Sequence, residues 1–511
     1  MRSDRRQAHR VRVHEPRVGQ HEVVFSWDVT PRTELYRRTS FRLTFPPEID
    51  ARSVPRPLWW RIALICLHTH WALLRPCRVE LPVQLGAWER EFWLRLIDNV
   101  TVQLETYGSV RRPGRAVELV GMGPQLEPTR QGSAGNRAAV AFSGGKDSLV
   151  LAALLAELTE RPLLVTTTSP VAWARDHVGV ARERARAEMA RLMPVDVIEV
   201  RSDFRTCWDL GFSARDGCTL GVHELSDLPL YQAATMAAAA ASGINRMFMA
   251  SEADIQYNTA RDGKVLLHQE FLSCAVTQRA LDALLRPFGL RQGSLTYPLH
   301  MPQVQALLLR RYRDLAHLQF SCWRAPEGAQ SCSACPKCFQ IALVALAEGV
   351  SPRAVGIEPV RVLSAFGDWR LDTPPAHRRP PLHDVRSPRH HIVRCLQAVP
   401  TEQVASILGA DQVASGPQRL EEALAVYARL RADALALSVP QTPGYIAGFL
   451  EAVHHDLREP LQAIFDQHFS PAPEGEFAEI VRRSRKLAAW IAQPLQRPSW
   501  WRARGALSGR P

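Results

Sequence analysis

Residues 143–148 have the side chains and the spacing to bind phosphate: Ser-Gly-Gly-Lys-Asp-Ser, called the glycine loop below. An apolar run at 138–142 precedes the loop and a segment with helical periodicity at 148–158 follows it, which is typical of an anion-binding turn. Glycines let backbone N–H groups approach phosphate oxygens, hydroxyls add hydrogen bonds, and the helix N-terminus adds partial positive charge. Lys146 can supply a mobile positive charge, and Asp147 can hold Mg²⁺ or fix the loop. The pattern therefore favours a nucleotide phosphate site, and an ordinary Gly-Gly turn is the alternative.

Further candidates follow two other predicted strands. Thr167 lies at the end of one strand, and Glu252 and Asp254 come directly after another. Because the carboxyl ends of parallel strands meet at one edge of a sheet, we expect these residues near the glycine loop. Glu252 and Asp254 could bind Mg²⁺, position an amine or a substrate, or cap the next segment. Glu270 could orient a substrate or begin a solvated helix.

Four cysteines have the spacing of a metal site. They follow the pattern C-x9-C-x2-C-x2-C, as Cys322, Cys332, Cys335 and Cys338. Four thiolates so placed can complete a tetrahedral Zn²⁺ shell with no open position, so the site would be structural. A [4Fe–4S] cluster accepts the same ligands. A disulfide pair or free thiols are the alternatives without a metal.

Strand and helix patterns alternate around these residues. The predicted strands are 138–142, 163–168, 195–200 and 246–250, and the predicted helices are 148–158, 172–193, 230–241 and 302–316. Alternation of this kind predicts an α/β fold with a parallel sheet and helices on both faces.

The flanking segments have other patterns. Strands are predicted at 23–27 and 41–45 and helices at 55–74 and 85–104, and later helices at 392–399, 420–437, 446–457 and 477–491. The expected organisation is a disordered basic tail at 1–20, an α+β domain at 21–110, a linker at 111–137, the α/β domain at 138–350, a Pro-rich linker at 351–390, a helical region at 391–495 and a basic tail at 496–511. Helix packing or protein binding fits the helical region better than chemistry does.

Positive charge is concentrated at the two ends of the chain. The basic excess in 1–20 and in 481–511 together equals the net charge of +12, so the body between them is neutral. A neutral body argues against a groove that follows a nucleic-acid backbone. No apolar run predicts a signal peptide or a membrane span. With clustered cysteines, these features favour a cytoplasmic protein.

The motif Ser-Gly-Gly-x-Asp-Ser resembles the signature of the PP-loop ATP pyrophosphatases. Members of that superfamily bind ATP on a Rossmann-like (HUP) sheet and typically adenylate a carboxylate or carbonyl oxygen with release of pyrophosphate. The resemblance implies ATP and Mg²⁺ as cofactors, with Ser143, Gly144, Gly145, Asp147 and Ser148 around the pyrophosphate moiety.

The glycine loop together with the later cysteines resembles the 7-cyano-7-deazaguanine synthase branch, over roughly 138–349. Its landmarks are the glycine loop, the acidic turn near Asp254, the segments 270–272 and 297–299, and the cysteine segment from 321 to 338. Those enzymes convert a carboxylate, with ammonia, through an amide to a nitrile, and the resemblance implies Zn²⁺ at the four cysteines. They are shorter and lack the flanking regions, the segment 254–270 looks like an insertion, and a lysine expected after Pro298 is absent, so the activated acid is left open.

Two alternatives accompany this expectation. The ATP-dependent epimerases of the terminal glutamate of UDP-N-acetylmuramoyl-dipeptide are similar in plan, with a leader domain, a PP-loop domain and a Cys-rich patch. An alternative of another class is a non-catalytic subunit that senses nucleotide within a multi-protein system. The expected partner is a small-molecule or peptide carboxylate, with a homodimer or a protein partner at the C-terminal region as further possibilities.

Overall fold

A mixed β-sheet of 11 strands runs through the described part of the chain, and helices cover it, which gives an α/β structure. The computed structural model describes residues 8–74, 76–107, 117–127, 135–169, 176–209, 226–256, 259–261, 264–266, 275–322, 324–369, 388–410, 416–438 and 444–475. No helix within these ranges combines the length and the apolar character that a membrane crossing requires.

Two strands lie within residues 9–18, in the segment whose arginines suggest disorder. The first elements are β1 (His9–Val13), β2 (Arg17–Val18), β3 (Glu22–Thr30), β4 (Ser40–Thr44), α1 (Arg56–Leu73), β5 (Cys77–Leu81), α2 (Ala87–Tyr107) and β6 (Val117–Gly121). The expectation of disorder over 1–20 is wrong for β1 and β2. In β1 the valines Val11 and Val13 are buried, while Arg10 on the other face pairs with Glu80 at 2.7 Å. The alternation of buried and exposed side chains within these five residues therefore allows a strand to form despite the basic composition.

The middle of the chain supplies the parallel part of the sheet. Its elements are β7 (Ala139–Ala141), α3 (Lys146–Leu158), β8 (Leu163–Thr168), α4 (Asp176–Leu192), β9 (Asp196–Ser202), α5 (Leu228–Ala241), β10 (Arg246–Phe248), β11 (Thr259–Arg261), β12 (Lys264–Leu266), α6 (Ala275–Leu285), β13 (Arg291–Gly293), α7 (Met301–Arg310), α8 (Arg313–Ala316), α9 (Pro336–Ala347) and α10 (Pro359–Ser364). Strands β9, β8, β7, β10 and β13 lie side by side in that order, and each pair is parallel.

The strand order changes direction at β7. The chain first adds β8 and β9 on one side of it and then β10 and β13 on the other. Adjacent residues of β7 belong to different clusters of buried apolar side chains. Ala139 shares one cluster with residues of α1, α5 and α6, and Val140 shares the other with residues of α3, α7 and α9. The prediction of helices on both faces is thus confirmed. In such sheets the crevice for a ligand opens at the carboxyl ends of the strands where the order reverses.

The sheet is mixed rather than parallel throughout, because the N-terminal strands join it. Strand β4 pairs antiparallel with β9, with Leu43 opposite Ser202. The ring of Phe41 lies 4.7 Å from that of Phe204, and α1 packs on α5. The expected linker at 111–137 contains β6, which pairs with β5. The expectation of a separate α+β domain is therefore wrong: strands β1 to β6 extend the same sheet.

The C-terminal helices pack on the α3 face of the sheet. They are α11 (Pro388–Ala398), α12 (Thr401–Gly409), α13 (Pro417–Leu435) and α14 (His455–Asp466), with a 3-10 helix at Ala447–Ala452. They share one apolar core with α9 and α10, and Ile446 N donates to Pro298 O at 2.7 Å. The first part of the expected linker at 351–390 is wrong, since α10 lies in it with Val362 and Leu363 buried. The predicted helix at 477–491 falls outside the described residues.

Candidate functional site

The glycine loop stands where the strand order reverses, between the end of β7 and the start of α3. Gly144 has φ +76°, a conformation that favours glycine, and a Cβ added there would stand 3.3 Å from the Cβ of Ala185. Gly144 O accepts a hydrogen bond from Phe320 N at 2.8 Å, which holds the loop from outside. The loop therefore has a fixed backbone that presents N–H groups at a helix N-terminus.

The hydroxyls of the loop face each other across its mouth. Ser143 Oγ and Ser148 Oγ are 3.3 Å apart, and Ser148 Oγ donates to Gly145 O at 3.0 Å. Gly145 N lies 3.5 Å from Ser143 Oγ, and Lys146 N lies 3.4 Å from Ser321 Oγ. Both N–H contacts are longer than a typical hydrogen bond, so an anion would strengthen the hydrogen bonding of these donors.

Lys146 is buried between two carboxylates, which differs from the mobile charge expected of it. Its side chain is 3% exposed, and Nζ contacts the carboxylate of Asp147 and donates to Glu252 Oε2 at 3.1 Å. Burial disfavours the ammonium, but Asp147 and Glu252 outweigh burial and raise the pKa of Lys146. Lys146 therefore stays charged and fixes the acidic groups rather than reaching into solvent.

The pKa values of the two acids beside Lys146 shift in opposite directions. Burial would raise the pKa of Asp147, but the charges of Lys146 and Lys337 lower it below its usual value. Burial raises the pKa of Glu252 well above its usual value, and the negative charges of Asp147 and Asp254 add to that effect. Asp147, whose side chain is 36% exposed, is thus the ionised carboxylate with an open side.

The threonines of β8 extend past the end of β7, because Ala141 pairs with Val165. Thr167 is buried and lies opposite Val200 of β9. Thr166, its neighbour in β8, has a buried hydroxyl oxygen without a hydrogen-bond partner among the described residues. Alternation along the strand puts Thr166 and Thr167 on opposite faces of the sheet.

The four cysteines converge as their spacing predicts. Their Sγ atoms all lie within 4.8 Å of one another, at 4.0 Å for Cys322 and Cys335, 3.9 Å for Cys332 and Cys338, and 3.4 Å for Cys335 and Cys338. A tetrahedral shell with Zn–S bonds of about 2.3 Å separates sulfurs by roughly 3.8 Å, so the four residues fit such an ion. All four are free thiols, so the disulfide alternative is wrong.

The cysteine cluster is joined to the glycine loop. Phe320 and Ser321, which contact the loop backbone, come directly before Cys322. Lys337 stands in the first turn of α9 between two of the cysteines, is exposed, and exerts its charge on Asp147. A metal here would fix the position of both the contacting segment and this lysine. The contact of Ser321 with the glycine loop is seen only in the three-dimensional structure, since nothing in its local sequence predicts it.

Asp254 contacts the imidazoles of two histidines. Its Oδ1 is 2.9 Å from His300 Nδ1 and 3.0 Å from His391 Nε2, and its Oδ2 accepts from Met301 N at 2.6 Å. The sequence pointed to Asp254 but not to His391, because that residue lies more than a hundred positions later, after the Pro-rich segment. Glu270 lies outside the described residues.

Comparisons of the chain with protein-family models, with curated proteins and with solved structures found no match.

Proposed function

We propose that this chain is an ATP-dependent enzyme of the PP-loop type that activates a carboxylate by adenylation. The observation that carries the proposal is the position of Ser-Gly-Gly-Lys-Asp-Ser at the N-terminus of α3, at the carboxyl end of the strand where the order reverses. The order β9-β8-β7-β10-β13 is that of the first five strands of a Rossmann-like sheet, which supports a nucleotide at this crevice.

Each residue of the site would have a separate role in adenylation. The N–H groups of Gly144 and Gly145 and of the first turn of α3 would stabilise negative charge on the departing pyrophosphate. Asp147, ionised and partly open, is the residue suited to hold Mg²⁺, and that ion would offset the charge of the triphosphate. Lys146 would keep Asp147 and Glu252 in place by its contacts with both. The substrate carboxylate would then attack the α-phosphorus in line with the leaving group.

The zinc is proposed to be structural. Four thiolates close a tetrahedral shell, so the ion would have no position for a substrate. Its effect on the reaction would pass through Phe320 and Ser321, which contact the glycine loop.

Two versions of the activity share this half-reaction. The four-cysteine cluster after the loop favours a chemistry like that of 7-cyano-7-deazaguanine synthase, in which ammonia attacks the activated acid. The N-terminal strands and helices before the loop favour the epimerase of the terminal glutamate of UDP-N-acetylmuramoyl-dipeptide, in which activation acidifies an α-proton. Clustered free thiols accord with the cytoplasm as the compartment for either.

The test is release of AMP and pyrophosphate from labelled Mg·ATP by the purified full chain with candidate acids. Replacing Asp147 by Asn should lower turnover by about 10²-fold or more, since it removes the charge that holds Mg²⁺. The matched control is Asp314→Asn, the same change on an exposed residue of α8. Wild-type turnover in D147N would remove the assigned role. Binding of Mg·ATP without AMP formation for any acid would instead favour the nucleotide-sensing alternative.

A further inference from the structure

A second cluster of potential metal ligands lies beyond the four cysteines. It consists of Asp254, His300 and His391, whose nearest ligand atoms all lie within 4.8 Å of one another. The two imidazoles are 0% and 2% exposed, and the carboxylate is 16% exposed. Asp254 lies in the 3-10 helix after β10, His300 comes directly before α7, and His391 lies in the first turn of α11. Three separate segments thus bring nitrogen and oxygen donors to one buried point.

We propose that Asp254, His300 and His391 form a binding site for a divalent first-row transition-metal ion. Two imidazoles and one carboxylate are the donors that Zn²⁺, Fe²⁺ and Co²⁺ accept, whereas Mg²⁺ prefers oxygen ligands alone. Donors at about 2.1 Å from an ion, arranged roughly at right angles, lie about 3.0 Å apart. The distances from Asp254 Oδ1 to the two nitrogens, 2.9 and 3.0 Å, match this spacing.

The carboxylate is already oriented for such a role. Met301 N donates to Asp254 Oδ2 at 2.6 Å, so this oxygen is engaged and Oδ1 is left toward both imidazoles. Hydrogen bonding of the oxygen that does not bind the ion is how proteins commonly fix a ligating carboxylate. A backbone donor in the first turn of α7 therefore holds the acid in one orientation.

Charge compensation also favours a cation. A buried carboxylate is stable only when positive charge or hydrogen-bond donors compensate it. Within the described residues the ion-pair partners of Asp254 are the imidazoles of His300 and His391. A divalent ion between the three groups would place positive charge directly beside this buried carboxylate.

The site would join the C-terminal helices to the nucleotide edge of the sheet. His391 belongs to α11, whereas Asp254 follows Glu252, the partner of Lys146. The proposal does not depend on ATP chemistry, because metal binding is measured without a substrate. It predicts two metal sites of different chemistry in one chain.

Cobalt distinguishes the two sites in the full-length protein. After removal of metal by a chelator, we expect the chain to bind about two equivalents of Co²⁺, one with the thiolate-to-cobalt charge-transfer band of a sulfur site and one without it. Asp254→Asn and His391→Ala should each lower the total to about one equivalent and leave the charge-transfer band unchanged. His455→Ala, an exposed histidine at the start of α14, is the matched control and should bind as the wild type does.

Two results would overturn the proposal. One is a wild-type chain that binds Co²⁺ at the thiolate site alone, which is decisive even where a variant fails to fold. The other is D254N or H391A that retains both equivalents. The same stoichiometry is then measured for Zn²⁺ by elemental analysis, and there the loss of one equivalent in both variants supports the site.

Discussion

Replacing Gly144 by Ala tests whether the left-handed backbone of the glycine loop positions the phosphate-binding groups. Gly144 has φ +76°, and an L residue in that conformation costs about 1–2 kcal/mol relative to glycine. The new methyl group would also lie 3.3 Å from the Cβ of Ala185, which is closer than most such contacts. Because both effects act in the same direction, we expect the free energy of unfolding to fall by about 2 kcal/mol.

The same substitution should weaken the binding of Mg·ATP. If the loop relieves its strain by leaving the left-handed region, then binding must restore it at about the same cost of 1–2 kcal/mol. That corresponds to a dissociation constant raised roughly 5- to 30-fold. Titration calorimetry with Mg·ATP measures this change, and urea unfolding measures the change in stability.

The control is Gly179→Ala in α4, which has the same chemistry and the opposite expected sign. A Cβ at Gly179 meets nothing within 4 Å, and the residue is exposed. Alanine should therefore raise stability by about 0.5–1 kcal/mol through its higher helix propensity, with no effect on nucleotide binding. A G144A protein as stable as the wild type, with unchanged ATP affinity, would refute the reasoning about the loop.

Two further predictions concern the metal and a buried imidazole. Cys338→Ser should remove one equivalent of metal and weaken ATP binding, because the segment with Phe320 and Ser321 would lose its anchor. The control is Cys395→Ser, a cysteine outside the cluster, which should keep the metal. Elemental analysis measures the metal and calorimetry the ATP affinity, and a C338S protein with full metal content would contradict the prediction. Burial lowers the pKa of His454 to about 4 from 6.5, so the unfolded chain takes up a proton that the folded chain excludes, and stability should fall by about 2 kcal/mol between pH 7 and pH 5. His454→Gln should lose less over that interval in urea unfolding, and an equal loss in both proteins would contradict the assignment.

Local structure was predictable where the hydrophobic pattern was strong. The helix predicted at 55–74 is α1 (Arg56–Leu73), and the strands predicted at 23–27 and 41–45 lie within or overlap β3 and β4. The partners of these strands in the sheet were not predictable, because β4 pairs antiparallel with β9, a strand about 160 residues away in the sequence. The expectation of a separate N-terminal domain was wrong for this reason. Periodicity reports which face of a strand is buried but not which strand lies beside it.

The candidate site likewise has parts that were predictable from the sequence and parts that were not. The glycine loop and the four cysteines were predictable because all their members stand within short stretches that have the required spacing. The nearness of Glu252 to the loop was also expected, but its contact with Lys146 was not predictable, since it depends on β7 and β10 being neighbours in the sheet. His391 could not be assigned for the same reason, as its helix reaches Asp254 only in the folded chain.

The antiparallel joint between β4 and β9 also decides how this protein can be shortened. Without residues 1–128, the end of β9 at Arg201 and Ser202 would lose its pairing with β4, and the surface of α5 that packs on α1 would be uncovered. An uncovered strand of this kind is a template for pairing with another molecule. A fragment that begins at β7 should therefore self-associate, so biochemical work is better begun with the intact N-terminal strands.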